Sequence, residues 1–150
     1  MSNPTAEPDA YVGYVLKRAQ SALRNGLDEA LRPLELTTAQ YACLRLLRND
    51  PGASNSELAR GAFVTRQSMN AVVRGLQERG LIIRPDRAAT GRELPATLTD
   101  AGTRAVEAGD VTAEALEARM LTGLSTADVK RLEVLLRGCA ERLELADPRV

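Results

Sequence analysis

Between Thr65 and Glu78 two kinds of residue recur at helical spacing. At 100° per residue, Gln67, Asn70, Ala71, Arg74 and Glu78 share one stripe, and Met69, Val72, Val73 and Leu76 share the opposite one at i, i+3, i+4, i+7. The amides of Gln67 and Asn70 suit bidentate pairing with adenine, and the Arg74 guanidinium suits guanine. Ala71 leaves room for a close approach or a thymine methyl. Thr65, Arg66, Gln67 and Ser68 crowd polar groups onto the start of the segment, where the free N–H groups and dipole of a helix favour phosphate. Further along, Arg87 and Arg92, with Gly91 beside the second, suit a loop reaching over a nucleic-acid backbone into a minor groove. The competing reading of Gln67, Asn70 and Arg74 is an ordinary solvated helix face. The crowded N-terminus and the arginine-bearing loop favour DNA contact instead.

Other chemistries find little support. The 150 residues contain no histidine and two cysteines, Cys43 and Cys139. The commonest general base and zinc ligand is therefore missing, and with it the Ser-His and Cys-His nucleophile pairs. Neither GxGxxG nor GxxxxGK[ST] occurs. The Asp and Glu residues are scattered and read as solvated helix faces, so no catalytic residue, no metal site and no cofactor is expected. Two widely separated cysteines imply neither a metal cluster nor a disulfide scaffold. Buried cysteine usually acts as a small hydrophobe, with redox sensing the less favoured alternative.

The formal net charge of zero conceals a gradient. Residues 1–53 balance, residues 54–98 carry seven arginines against four acids for a net +3, and residues 99–150 carry a net −3. The basic third uses only arginine, which forks onto phosphates and guanine edges where lysine is a point charge. With 44% hydrophobic and 27% charged residues, the composition is that of one globular domain. No apolar run approaches the roughly 18 residues that would span a bilayer. Met1 to Pro8 has neither the basic nor the apolar region of a secretory signal. A cytoplasmic protein without membrane contact is expected.

Capping and periodicity then place the elements. An apolar repeat of Val12, Leu16, Ala19, Leu23, Leu27 and Ala30 predicts a helix over 9–31, with Asp9 as N-cap and Pro33 ending it. Thr37-Thr38-Ala39-Gln40 has capping-box form and opens a second helix burying Tyr41, Leu44 and Leu47. Ser54-Asn55-Ser56-Glu57 opens a short third helix ending near Gly61. Thr65 caps the fourth, which runs to Arg79 and stops at Gly80. The period then falls to two. Leu81-Ile82-Ile83-Arg84 and Leu94 to Leu98 form a hairpin, with Pro95 at an edge or bulge. Thr99-Asp100 caps a long helix through Leu121, and Ser125 to Asp128 caps the last, through about Leu145. The fold class is mainly α with a small β-hairpin wing, in the order α-α-α-α-β-β-α-α. This is a winged helix-turn-helix whose recognition helix starts at Thr65 and whose wing spans 85–93.

Leu36-Thr37-Thr38-Ala39-Gln40-Tyr41, Ser56-Glu57-Leu58-Ala59, Leu76-Gln77-Glu78-Arg79-Gly80-Leu81-Ile82 and Leu98-Thr99-Asp100-Ala101-Gly102 occur in an order and spacing that resembles the MarR (multiple antibiotic resistance regulator) family of bacterial winged-helix transcription factors. The resemblance covers nearly the whole chain. It implies a homodimer, built from the first helix and the last two, that binds inverted-repeat operators and often releases them to a small molecule or an oxidant. It also assigns the minor-groove role to Arg92. The family's usual acidic residue two positions earlier is Thr90 here, leaving Asp86 or Glu93 to brace that arginine. The peroxide-sensing branch carries its reactive cysteine near the start of the first helix, where this chain has none.

A single MarR-type domain over 1–150 is thus expected, with dimerisation helices over 9–31 and 100–145 and a DNA-binding lobe over 37–98. Val129, Leu132, Leu135, Leu136, Cys139 and Leu143 give the final helix a wider apolar stripe than a small core needs, in keeping with a two-fold partner. Tyr11, Tyr14, Tyr41 and Phe63 are candidates for an effector pocket taking a phenolic-type small molecule, or else simply core. The function expected is an effector-responsive repressor acting on a pseudo-palindromic double-stranded operator. The alternative is a winged-helix protein-interaction module. The chain carries no cofactor domain, against the dimerisation part of a methyltransferase. Four aromatics offer little to stack on single-stranded RNA.

Overall fold

A computed structural model of the chain describes residues 11–84 and 95–145. They fall into two compact units, one up to Leu116 and one from Glu117 onward. In the first, α1 (Val12–Leu31) leads through a 3-10 turn (Arg32–Leu34) into α2 (Thr38–Asn49), α3 (Asn55–Gly61) and α4 (Arg66–Glu78). A two-stranded antiparallel pair follows, β1 (Ile82–Ile83) and β2 (Thr97–Leu98), in the register Ile82↔Leu98 and Ile83↔Thr97. Next come α5 (Asp100–Met120), which crosses the boundary between units, and α6 (Thr126–Glu144). No helix among the described residues is long and apolar enough to cross a membrane.

Local chemistry explains the helix starts. Thr37 and Ser54 each form a complete capping box, Thr37 with Gln40 and Ser54 with Glu57. Thr65 accepts from Ser68 N, and Ser125 accepts from Asp128 N. The start of α1 differs from expectation. The helix begins at Val12 after an extended Tyr11 that makes no side-chain cap, and Asp9 lies outside the described residues. At the far end of α4, Gly80 adopts φ +71, the left-handed turn that a residue without Cβ enters at no steric cost.

The core of the first unit lies where α2, α3 and α4 meet. Leu31, Leu44, Leu47, Leu58, Met69, Leu76, Ile82 and Val106 are almost wholly buried there. Of the apolar stripe expected on α4, Met69, Val73 and Leu76 are buried and Val72 is half-buried. The ladder is shorter than the hairpin pattern suggests, and Pro95, which has no N–H to donate, stands outside it. Thr99 ties the ladder to α5. Its hydroxyl donates to Gly80 O at 2.6 Å and accepts from Gly102 N at 3.1 Å, while its own N–H donates to Leu81 O.

Apolar residues on α1 and α6 are left uncovered. Tyr11, Val12, Val15 and Leu16 at the start and on the first half of α1 are exposed, and α6 buries no residue at all. Leu132, Leu135, Leu136, Cys139 and Leu143 of the expected apolar stripe all face outward.

Candidate nucleic-acid interface

The α3–turn–α4 unit holds the polar stripe in place by burying its opposite face. With Met69, Val73 and Leu76 in the core, Gln67, Asn70, Ala71, Arg74 and Glu78 are all exposed. Thr65, Arg66 and Ser68 are exposed at the N-terminus of α4. Thr65 Oγ1 accepts from Ser68 N at 3.1 Å and donates to Ser68 Oγ at 2.9 Å, which fixes the first turn. Its amide dipoles end in solvent and favour an anion.

Behind Asn70 lies a polar network that periodicity could not reveal. Asn55, at the start of α3, is 6% exposed, and its Nδ2 donates to Asn70 Oδ1 at 2.8 Å. The Arg84 guanidinium donates through Nη2 to Asn55 Oδ1. Arg84 Nε is buried with no partner among the described residues. Asn55, Asn70, Arg74, Gln77 and Arg84 line a shallow polar cleft of about 240 Å³ floored by Val73. Buried polar side chains are rarely left unpaired, so a polar residue at the first position of a capped helix is the only sequence signal for Asn55.

The remaining wing candidates, Arg87, Gly91 and Arg92, lie outside the described residues, as do Asp86, Thr90 and Glu93. What is described is the stem that carries them, the Ile82–Ile83 and Thr97–Leu98 pair.

The four aromatic candidates do not gather in one place. Tyr41 is 3% exposed and belongs to the core, where its hydroxyl donates to Asp110 Oδ1. Tyr11 is exposed and Tyr14 half-buried near the start of α1. Phe63, 91% exposed, lines a cavity of about 320 Å³ together with Leu23, Arg24 and Leu27 of α1 and Thr38, Ala39 and Ala42 of α2. One rim of that cavity is set by Asp28, whose Oδ1 accepts from Thr38 Oγ1 at 2.7 Å and from Thr38 N at 2.8 Å. These two bonds hold its carboxyl below the usual range. Cys43 is fully buried, and burial pushes its thiol up to about 12, whereas Cys139 is exposed on α6. Among the described residues no group of His, Cys, Asp or Glu is arranged to hold a metal ion.

Comparison with known proteins gives a consistent pattern. Residues 34–93 match the model of the MarR family. The HTH-type transcriptional repressor Rv2887 of Mycobacterium tuberculosis is 41% identical over 128 residues, spanning 85% of this chain and 92% of the relative. A crystal structure of Rv2887 in complex with DNA superposes with a TM-score of 0.74 at 38% identity, covering 87% of this chain and 98% of the other. A complex of the same protein with salicylic acid gives 0.73 at 40% identity, covering 87% and 97%. The transcriptional repressor CouR bound to a 23-mer DNA duplex gives 0.77 at 28% identity, covering 87% and 92%.

Proposed function

The chain belongs to the MarR family of winged-helix transcriptional regulators, and on that premise we propose that it is an effector-responsive repressor, acting as a homodimer on an inverted repeat in double-stranded DNA. It is a DNA-binding regulator of transcription and not an enzyme. The observation that carries the finer reading is the exposed face of α4. Gln67, Asn70, Ala71 and Arg74 stand outward on a helix whose other face is anchored in the core. They are the residues proposed to enter the major groove, with Thr65, Arg66 and Ser68 on the flanking phosphates and Arg87, Gly91 and Arg92 in the adjacent minor groove.

The domain reading is likewise proposed, with residues 37–98 as the DNA-binding lobe and the helices within 9–31 and 100–145 joining two copies. Uncovered Val12, Val15 and Leu16 on α1 and Leu132, Leu135 and Leu136 on α6 support that dimer, since apolar rows of this extent are normally covered in water. Two-fold symmetry would present two copies of α4 to successive major grooves. For the effector, the cavity beside Phe63 suits a small aromatic acid, with Arg24 on its wall to meet a carboxylate. Crystal structures of Rv2887 with salicylic acid and with p-aminosalicylic acid make this class the first to test.

Selecting bound duplexes from a random pool, then challenging the complexes with salicylate and with peroxide, tests the whole reading. An enriched inverted repeat released by salicylate is the expected result. A chain whose duplex binding has no salt dependence and no enriched sequence would overturn it in favour of a protein-interaction module.

A further inference from the structure

We propose that Asn55 determines base preference at the interface by holding the Asn70 amide in a single orientation, with its NH2 group toward DNA. The inference rests on the α4 reading above and adds to it a residue that itself touches no base. Two carboxamides in contact can exchange donor and acceptor, so the pair by itself is ambiguous. The third member removes the ambiguity. A guanidinium has five N–H donors and no acceptor, so the atom of Asn55 that meets Arg84 must be its oxygen. Its nitrogen then faces Asn70, and Asn70 must answer with its oxygen at 2.8 Å. Burial of Asn55 to 6% exposure removes the water that would otherwise satisfy the reverse arrangement.

Asn70 is therefore left with only donors for a base edge. Bidentate recognition of adenine needs one donor and one acceptor, and the acceptor is already spent. A pure donor is best matched by an edge offering only acceptors at that point, namely guanine N7 and O6 or thymine O4. Asn55 is in this sense a positioning residue, and its influence is the polarity of the group it turns outward.

Asn55→Asp reverses that polarity without removing a side chain. A carboxylate can meet Arg84 and Asn70 only as an acceptor, so Asn70 must turn its NH2 inward and its oxygen to the groove. The operator position to follow is the one whose preference disappears in Asn70→Ala, read by duplex selection and by competition with single-base variants. The expected result is guanine or thymine there for the wild type and a shift of roughly five- to hundredfold toward cytosine or adenine in N55D. A wild-type preference retained by N55D overturns the proposal, as does an Asn70→Ala variant that relaxes no position. Should a thermal melt show N55D unfolded, Arg84→Met serves in its place, since it frees both amides to turn. Relaxed preference at that position then supports the proposal, and unchanged preference overturns it. A wild-type chain that enriches no sequence overturns the α4 reading and this one with it.

Discussion

The Tyr41 hydroxyl donates a 2.6 Å hydrogen bond to Asp110 Oδ1, joining α2 to α5 across 69 positions of sequence. Arg48 adds a 2.5 Å ion pair to the other carboxylate oxygen, and Arg45 stands 3.7 Å from the first. The Tyr41 ring also packs on the α5 backbone, where a Cβ at Gly109 would come within 2.5 Å of it. One phenol thus fills core volume and orients an acid at the same time.

That pairing predicts how stability varies with pH. Partial burial pushes the Asp110 carboxyl up, but the bonds from Arg48 and Tyr41 outweigh it and hold the group below its usual 3.8. A lowered folded value means the contribution is complete above pH 3.8 and is lost as pH falls through the folded value. Burial pushes the Tyr41 phenol from 10.0 to about 12, so its contribution is complete below pH 10 and is lost as pH rises toward 12. Urea midpoints measured across pH should show both limbs in the wild type. Asp110→Asn should flatten the acid limb, and Tyr41→Phe should remove the alkaline one at a cost of about 1.5 kcal/mol at neutral pH.

Gly102→Ala should be severely destabilising, by about 3 kcal/mol or more. An added Cβ would sit 1.9 Å from Leu81 O, a backbone atom that cannot move without breaking its bond from Thr99 N. A thermal melt checks this, and a midpoint within a few degrees of wild type would contradict the close packing of α5 on the strand stem.

Phe63→Gly should have opposite effects on stability and on ligand binding. Phe63 holds φ 56 in the turn between α3 and α4, a conformation costly for a residue with a Cβ, and at 91% exposure it buries little in return. The substitution should stabilise the fold by about 1 kcal/mol. If Phe63 lines the effector cavity as proposed, salicylate should bind F63G more weakly in calorimetry while duplex affinity is kept.

Arg74→Ala should weaken binding to the selected operator by about 1–3 kcal/mol and relax preference at one position in each half-site. Arg92→Ala should weaken all duplexes alike and lower the salt slope by about one for every phosphate it leaves unneutralised. Fluorescence anisotropy at several salt concentrations separates the two. Wild-type affinity and slope in both variants would remove α4 and the wing from the interface.

Cys43 should resist thiol reagents in the folded protein at pH 8, because it is fully buried and its thiol is held near 12 by burial. In Cys139→Ser, labelling by a chromogenic disulfide should therefore wait on unfolding and accelerate in urea. Rapid labelling of the native variant would show that solvent reaches Cys43.

What the sequence determined by itself is what depends on near neighbours. Thr37, Ser54, Thr65 and Ser125 cap helices through atoms three residues away, and Gly80 stops α4 through its own φ. The i, i+3, i+4 pattern of Met69, Val73 and Leu76 also settled which face of α4 is free, since a helix cannot bury both stripes. Motif order carried the family. The start of α1 departs from expectation because Asp9 has the type of an N-cap, while Tyr11, which occupies that position, makes no side-chain bond that composition could signal. Only the tertiary structure could pair Tyr41 with Asp110, or Asn55 with Asn70 and Arg84, 15 and 29 positions away. Such pairings follow from how helices pack, and a polar side chain carries no periodic signature of its partner. For the same reason the sequence named Asn70 as a group that could meet a base, while the fold decided which end of its amide is left to do so.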